Sequence, residues 1–415
     1  MVPETLLRPA YTSVDILDVA GAIRHLDAGD SESFDETVWG EILGWSPDSG
    51  IELTSDSVVS VMMRAIELFE SASWVGAQSL SSDNASGAAE RLRASDPATQ
   101  DGKPRGVVFG CGHYVKTAVL PNLRPFLEID EIHEIDPVQI GPVNSGSVIF
   151  DTSPELSETD DHDVVVAAGY HHTHMPLALA ALERGKYAVV EKSLVVDDSQ
   201  LEALEQALRR SGRKLFAGFQ RRYTPLNDWA RADLCVTKGD PLSYHALVYH
   251  VPLPSRHWYR WPIAKSRLVS NGRHWVDHFL YLNGYAQPYD WDVTVGVDGQ
   301  INCSVSLENG AFFTLVMPNQ GSPRLGVREL VELRTADGMA RIYDGPRYVA
   351  EMGDRVRHRR ICKLGPYKTM YGEFGRRITE GRPADSIESV TVSARLMLNL
   401  GARLSAAVGR APEHT

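Results

Sequence analysis

Between Asp163 and Gly218 the sequence alternates short β-branched apolar runs with amphipathic stretches, and this restricts the fold more than any other feature. Asp163–Ala168, Tyr187–Val190 and Leu215–Gly218 read as buried strands, because an apolar run without polar alternation suits a strand covered on both faces. Between them, Leu177, Ala180, Ala181 and Leu182, and then Leu201, Leu204 and Leu208, recur at helical spacing. Pro176 lies near the start of the first helix and Gly185 stops it. Asp197 or Asp198 caps the second and Gly212 stops that one. Strand–helix repetition predicts a parallel sheet in an α/β domain. Ligands of such sheets bind outside the carboxyl ends of the strands. Two segments fall there: Gly169-Tyr170-His171-His172-Thr173-His174 and Glu191-Lys192-Ser193. A lysine at that edge can orient a substrate oxygen or move its proton. A surface ion pair is the plainer use of the same two charges.

Upstream, Gly106–Phe109 reads as a first strand, followed by Gly110-Cys111-Gly112-His113-Tyr114-Val115 and a helical stretch to Leu123. This is a G-x-G-x-x-G variant with Val115 at the third glycine. The first glycine permits the tight turn, and the second lets the backbone approach a dinucleotide pyrophosphate at the helix N-terminus. The third serves packing, so its loss is compatible with the cofactor. Ile129–Asp136 alternates as a strand and ends in Asp136, placed to bind the adenosine ribose. Asp136 equally suits a turn before Pro137. No arginine follows it directly, which favours NAD over NADP.

The run His174-x-Pro176 through Glu191-Lys192-Ser193, then Gly218-Phe219-Gln220-Arg221-Arg222-Tyr223-Thr224-Pro225, resembles the glucose-fructose oxidoreductase / inositol dehydrogenase / MocA-type family. The strand-end motif of that family is EKP, and Ser193 replaces its proline. The resemblance implies a Rossmann domain followed by a second domain. It implies cofactor contacts from Gly110, Cys111, Gly112, His113, Tyr114, Asp136, Gly169, Tyr170, His171, His174, Glu191, Lys192 and Arg222. Helix capping and packing are the other readings of the histidines. A zinc site fits poorly, since the HHxH spacing lacks a cysteine or acidic partner, and no metal is expected.

Downstream, Leu242–Val251, Trp291–Val297, Gln300–Leu307, Ala311–Met317 and Val327–Thr335 read as strands. Asp298-Gly299, Asn309-Gly310 and Asp337-Gly338 are the hairpin signals. An open antiparallel sheet of an α+β domain follows, which in the resembled family carries the oligomer interface. Ser386–Val408 is helical and predicted to return to the first domain. Between the strands lies the stretch Ser270-Asn271-Gly272-Arg273-His274-Trp275-Val276-Asp277-His278, with Tyr259 in the aromatic run before it. It resembles the family's D-x-G-x-H-x-x-D, with Gly272, His274 and Asp277 matching and Ser270 in place of the leading aspartate. The resemblance implies His274 as proton carrier, oriented by Asp277, with Lys192 across the reacting carbon. Tyr259, Ser270, Arg273 and His278 are the candidate substrate contacts.

The first 95 residues read as a small helical domain, from stripes such as Val58, Met62, Ile66 and Phe69. The segment from Trp39 to Trp45, Asp56-Ser57-Val58 before a helix, and Ser86–Ala94 are similar to acyl or peptidyl carrier domains. That likeness implies phosphopantetheine on Ser57 and a carrier-tethered substrate. An ordinary helix cap is the alternative. The predicted organisation is therefore a helical domain (1–95), a linker (96–105), a Rossmann domain (106–225) and an α+β substrate and oligomerisation domain (226–415). The net charge of −12 argues against a nucleic-acid partner or an anionic membrane. Cys111, Cys235, Cys303 and Cys362 are far apart and suit free thiols in a reducing cytoplasm. The function expected is an NAD(P)-dependent oxidoreductase acting on a carbonyl, secondary alcohol or imine carbon. A sugar or cyclitol dehydrogenase, a redox-neutral NAD enzyme, and a non-catalytic cofactor-binding regulator are the alternatives.

Overall fold

The computed structural model describes residues 102–140, 148–212, 214–237, 239–252 and 266–408. Ser57, Tyr259 and the helical domain expected over 1–95 lie outside these residues. Gly102 onward forms one compact unit.

Six strands form the first sheet: β1 (Arg105–Phe109), β2 (Glu128–His133), β3 (Ile149–Asp151), β4 (Val164–Ala167), β5 (Tyr187–Val190) and β6 (Leu215–Ala217). Their order is β3-β2-β1-β4-β5-β6 and every pair is parallel. The connection reverses between β1 and β4, which opens a crevice at their carboxyl ends. After the glycine loop a π-helical turn, Val115–Val119, runs into α1 (Leu120–Leu123). Pro121 has no N–H to give to the preceding turn, which accounts for the altered winding. Two crossover helices are α2 (His171–Glu183) and α3 (Asp198–Arg210). Asp197 is the cap of α3, its carboxylate accepting from the Gln200 N–H at 2.9 Å. Gly185 and Gly212, both at positive φ, follow the two helix ends.

After α4 (Leu226–Asp233), β7 (Ser243–Tyr249) begins the second sheet. Then come α5 (Arg273–Leu282), preceded by a π turn over Leu268–Gly272, and β8 (Pro288–Val295), β9 (Ile301–Leu307) and β10 (Phe312–Met317). Next are β11 (Arg328–Arg334), β12 (Gly338–Tyr343), β13 (Arg347–Met352) and β14 (Arg355–Arg360). The eight strands lie in the order β14-β13-β12-β11-β7-β10-β9-β8. One pair departs from the expected antiparallel pattern: β7 and β10 run parallel, because α5 and the β8–β9 hairpin intervene between them. Alternate residues of β7 and β9 are buried under α4 and α5, giving the period-2 pattern of a sheet with one packed face.

The last described helices are α6 (Gly365–Thr379) and α7 (Ile387–Val408), and both pack across the boundary expected at 225/226. Met370, Tyr371, Phe374 and Ile378 of α6 pack into the nucleotide-side core, with the Phe374 and Phe216 rings 4.8 Å apart. Val390 and Ala394 of α7 enter the core beside α3, while Leu396, Leu400 and Leu404 join the core under the second sheet. The expected return of the last helix to the first domain is seen. The α6 contribution is additional, so 226–415 is not a separate packing unit.

Candidate functional site

Gly110 has φ +101°, and a Cβ there would meet Gly169 Cα and N at 2.8 Å. Two glycines therefore let the loops after β1 and β4 touch. At Gly112 an added Cβ meets nothing within 4 Å, so space lies open at the helix start. These are the properties a dinucleotide pyrophosphate requires of such a loop. The Cys111 N–H donates to Glu134 Oε2 at 2.6 Å, and the Cys111 side chain is buried. His113 is exposed, and its carbonyl accepts from Thr117 Oγ1.

Two acids, Glu134 and Asp136, follow β2. β2 ends at His133, and Glu134, not Asp136, reaches the glycine loop. Asp136 donates its own N–H to Glu134 Oε1 at 2.9 Å, and its carboxylate closes a turn onto the Val138 N–H. Strand-like alternation from Ile129 runs past the strand end at His133.

At the crevice a cavity of about 290 Å³ is lined by Tyr114, Ala168, Gly169, His171, His174, Glu191, Lys192, Gln220, His274 and Tyr367. Lys192 comes from the end of β5, and His274 from the first turn of α5 in the second half of the chain. Glu191 is buried and accepts from the hydroxyls of Tyr114 (3.1 Å) and Tyr371. Burial raises its pKa above the usual carboxylate range. His174 is enclosed with its ring nitrogens 3.0 Å from Ser193 O and 3.1 Å from Gly169 O. It fastens the two strand-end turns together, and its pKa is pushed down to about 4 by burial. Both ring nitrogens are thus taken up by backbone carbonyls, while the ring still lines the cavity. The Lys192–Ser193 peptide is cis. The Tyr170 ring stacks on His172 at 6.2 Å, and the His171 and His174 rings meet edge to face.

His274 is half-buried with Nδ1 enclosed and without a hydrogen-bond partner among the described residues, and desolvation favours the neutral ring, lowering its pKa well below the ordinary value. Asp277 does not orient it. Its carboxylate takes Arg222 Nε (2.9 Å) and Nη2 (2.6 Å) and the Ser393 hydroxyl (2.6 Å). Arg222 also donates to Ser389 O and lies 3.4 Å from Asp385. Arg222 and Asp277 are thus a buried tie joining the segment after β6, α5 and α7, and neither lines the cavity. His278 is likewise a core residue: Nε2 donates to Asn227 Oδ1 at 2.7 Å, and Nδ1 accepts from the Tyr244 hydroxyl at 3.1 Å. Ser270 is buried in the π turn, and Arg273 is buried with Nε donating to Val269 O. None of Ser270, Arg273 and His278 lines the cavity. His274 and Asp277 both lie within α5 at i and i+3, yet only His274 lines the cavity, while the Asp277 carboxylate turns to Arg222 and Ser393.

Gln220, Tyr367 and Tyr371 were missed. Gln220 stood in view inside the quoted GFQRRYTP segment. Tyr367 and Tyr371 carried no local signal, because α6 reaches the site only through long-range packing. Among the described residues, Asp160, Asp161 and His162 form one acidic–imidazole group. It lies before β4, at the opposite end of the strands from the cavity, with Asp160 held by Lys186 (2.9 Å) and Asp161 by Arg105 (2.8 Å). No helix of the described residues is long and apolar enough to cross a membrane.

Residues 105–219 match the model of an oxidoreductase family with an NAD-binding Rossmann fold. Inositol 2-dehydrogenase 4 of Saccharopolyspora erythraea is 40% identical over 77 residues, 18% of this chain and 23% of that protein. The uncharacterized oxidoreductase YdgJ of Escherichia coli is 30% identical over 118 residues, 28% of this chain and 34% of that protein. The chain thus spans about a third or less of the curated relatives it matches. A dehydrogenase from Chromobacterium violaceum superposes with TM-score 0.64 at 16% identity, covering 74% of this chain and 97% of the other. KijD10, a 3-ketoreductase from Actinomadura kijaniata in complex with NADP and TDP-benzene, gives 0.60 at 19%, covering 72% and 98%. The aldose-aldose oxidoreductase from Caulobacter crescentus complexed with glycerol gives 0.61 at 16%, covering 74% and 98%. At these identities the likeness is one of fold.

Proposed function

Since residues 105–219 belong to the glucose-fructose oxidoreductase / inositol dehydrogenase / MocA-type oxidoreductase family, we propose that the chain is an NAD(P)-dependent oxidoreductase. Its substrate is a small polar alcohol or carbonyl compound of the sugar or cyclitol kind. The observation that carries this reading is the shared cavity. Lys192 at the end of β5 and His274 at the start of α5 meet there, beside the glycine pair at β1 and β4. A nicotinamide dinucleotide, when bound, supplies the hydride acceptor or donor. Lys192 orients the substrate oxygen. His274, neutral across physiological pH, takes the hydroxyl proton during oxidation, or returns it during reduction. Tyr367 and Gln220 complete the wall and bind further hydroxyls. A carrier-tethered substrate draws no support from the relatives, and a regulator that kept only the fold would not need Lys192 and His274 in one cavity.

The same reading makes Glu134 the acid that binds the adenosine ribose and disfavours a 2′-phosphate, so NAD is preferred. NADH fluorescence titration tests it. Gly110→Ala abolishes binding, because the new Cβ collides with the Gly169 backbone. Glu134→Gln weakens NADH by ~10-fold or more, the scale of one charged hydrogen bond. Asp136→Ala stays within about 2-fold, the size of an exposed turn contact. An Asp136 effect larger than the Glu134 effect overturns the assignment.

A further inference from the structure

Three oxygens at the cavity form a closed triangle. Glu191 Oε1 meets the Tyr114 hydroxyl at 3.1 Å and also the Tyr371 hydroxyl, and the two hydroxyls are 3.0 Å apart. Each contact needs one proton, so three are required, and the two phenols bring two. With both phenols donating to a carboxylate, the contact between their oxygens has no hydrogen and sets lone pair against lone pair. A proton on Oε1 completes the set. Glu191 then donates to Tyr114, Tyr114 to Tyr371, and Tyr371 back to Oε1, a cycle whose members strengthen one another. Glu191 is only 6% exposed, and burial favours the same neutral form. Gly218 packs against this carboxyl: a Cβ there would meet Glu191 Cδ at 2.8 Å.

The other titratable groups of the cavity wall are Lys192, next in sequence, Tyr367 of α6, His171 and His174 of α2, and His274 of α5. Burial raises the Tyr114 and Tyr371 hydroxyls far above neutral pH and pushes Tyr367 up to about 12. The phenols therefore keep their protons. Burial also pushes His174 down to about 4 and lowers His274 well below its ordinary value, so neither ring favours a proton it could give up. Of the three protons in the triangle, the one on Glu191 is the one that a charge entering the cavity can displace.

We propose that Glu191 compensates the charge of the cofactor, releasing its proton when the oxidised dinucleotide binds and keeping it when the reduced one binds, a role that rests on the oxidoreductase reading of the same cavity. A nicotinamide is cationic when oxidised and neutral when reduced, so only the first gains from a carboxylate beside it. In the release the O–H bond of Glu191 breaks, the electron pair stays on Oε1, and the proton passes to the buffer. Both phenols then donate to the carboxylate, which keeps it solvated inside the wall.

The test is calorimetric titration of the full chain with NAD+ and with NADH, each in Tris and in phosphate, whose different ionisation enthalpies count the protons released. Near neutral pH, NAD+ binding releases about half a proton or more, and NADH binding releases almost none. Proton release on binding means that affinity rises with pH. NAD+ affinity therefore climbs ~3-fold or more per pH unit while NADH affinity stays level. Glu191→Gln keeps the shape and cannot ionise. It abolishes the release and weakens NAD+ by ~10-fold, the equivalent of one pKa unit of lost compensation, with NADH affinity within about 2-fold of wild type. If that variant does not fold, infrared spectra of the wild type carry the comparison: the carbonyl band of a protonated carboxyl is lost with NAD+ and retained with NADH. Equal proton release for the two nucleotides, release that persists in Glu191→Gln, or a carboxyl band unchanged by NAD+ overturns the proposal. Failure of both nucleotides to bind instead defeats the oxidoreductase reading, and this role of Glu191 falls with it.

Discussion

At the scale of single residues, Lys192 is the group whose chemistry and place agree most directly. A lysine at a strand end in a parallel sheet already has a direction in the sequence, and the cavity supplies its counterpart in His274. On a substrate that is turned over, Lys192→Ala and His274→Ala each lower kcat by ~100-fold or more, the scale for loss of a proton-transfer group. Tyr367→Phe, which removes a wall hydroxyl, raises KM more than it lowers kcat. Turnover that survives in the Lys192/His274 double variant removes this site from the chemistry. His174 predicts a pH effect on stability. A histidine in an unfolded chain protonates near pH 6.5, whereas folded His174 stays neutral down to about pH 4. The unfolded state therefore binds more protons between these values, and His174 costs stability progressively as pH falls from 6.5 to 4. At pH 5 the cost relative to pH 7 is about 2 kcal/mol. Urea melts of wild type and His174→Gln at the two pH values check it, since the variant should lose that part of the pH 5–7 difference. Glu134 shows the limit of residue-level reading. Alternation alone carries β2 on to Asp136, whereas the strand ends at His133.

At the scale of elements, the parallel strands and their crossover helices were legible because both faces of the sheet are covered, which writes continuous apolar runs into the sequence. Helix stops at Gly185 and Gly212 were legible for a local reason, positive φ. The role of α5 was not. Its motif spacing reads as one catalytic face, but His274 lines the cavity while Asp277, three residues on, is buried against Arg222. The resulting tie is structural. Asp277→Ala leaves Arg222 buried with a lost partner and costs ~3–5 kcal/mol of stability, the usual result of breaking a buried ion pair. Arg222→Met with Asp277→Leu recovers part of that loss. A thermal melt of Asp277→Ala indistinguishable from wild type contradicts this assignment, and activity measured below the melt separates it from a proton-relay role.

At the scale of the whole molecule, the second sheet and the nucleotide sheet are not independent domains in series. α7 places Val390 and Ala394 in one core and Leu396, Leu400 and Leu404 in another. Asp385 joins them near its start, its carboxylate accepting from the Ala217 N–H at 3.0 Å. Residues 102–415 are therefore expected to melt in one transition. Leu400→Ala, a substitution under the second sheet, costs ~2–5 kcal/mol and moves the whole transition, including nucleotide-side probes such as NADH protection. Two separated transitions in calorimetry contradict this coupling. None of it was visible in hydrophobic periodicity, which reports that α7 is amphipathic without naming its partners.

The same two C-terminal helices fix an order of events while the protein is being made. All six strands of the nucleotide sheet have been synthesised once Ala217 leaves the ribosome. One side of that sheet is then still waiting for Met370, Tyr371, Phe374 and Ile378. Until α6 emerges, Val108, Ile132, Val166 and Phe216 lack part of their cover, in strands whose apolar runs are prone to pair with other chains. That face of the nucleotide sheet is thus expected to stay uncovered through the synthesis of the entire second sheet, and Tyr367 and Tyr371 reach the cavity and Glu191 only once α6 has been made.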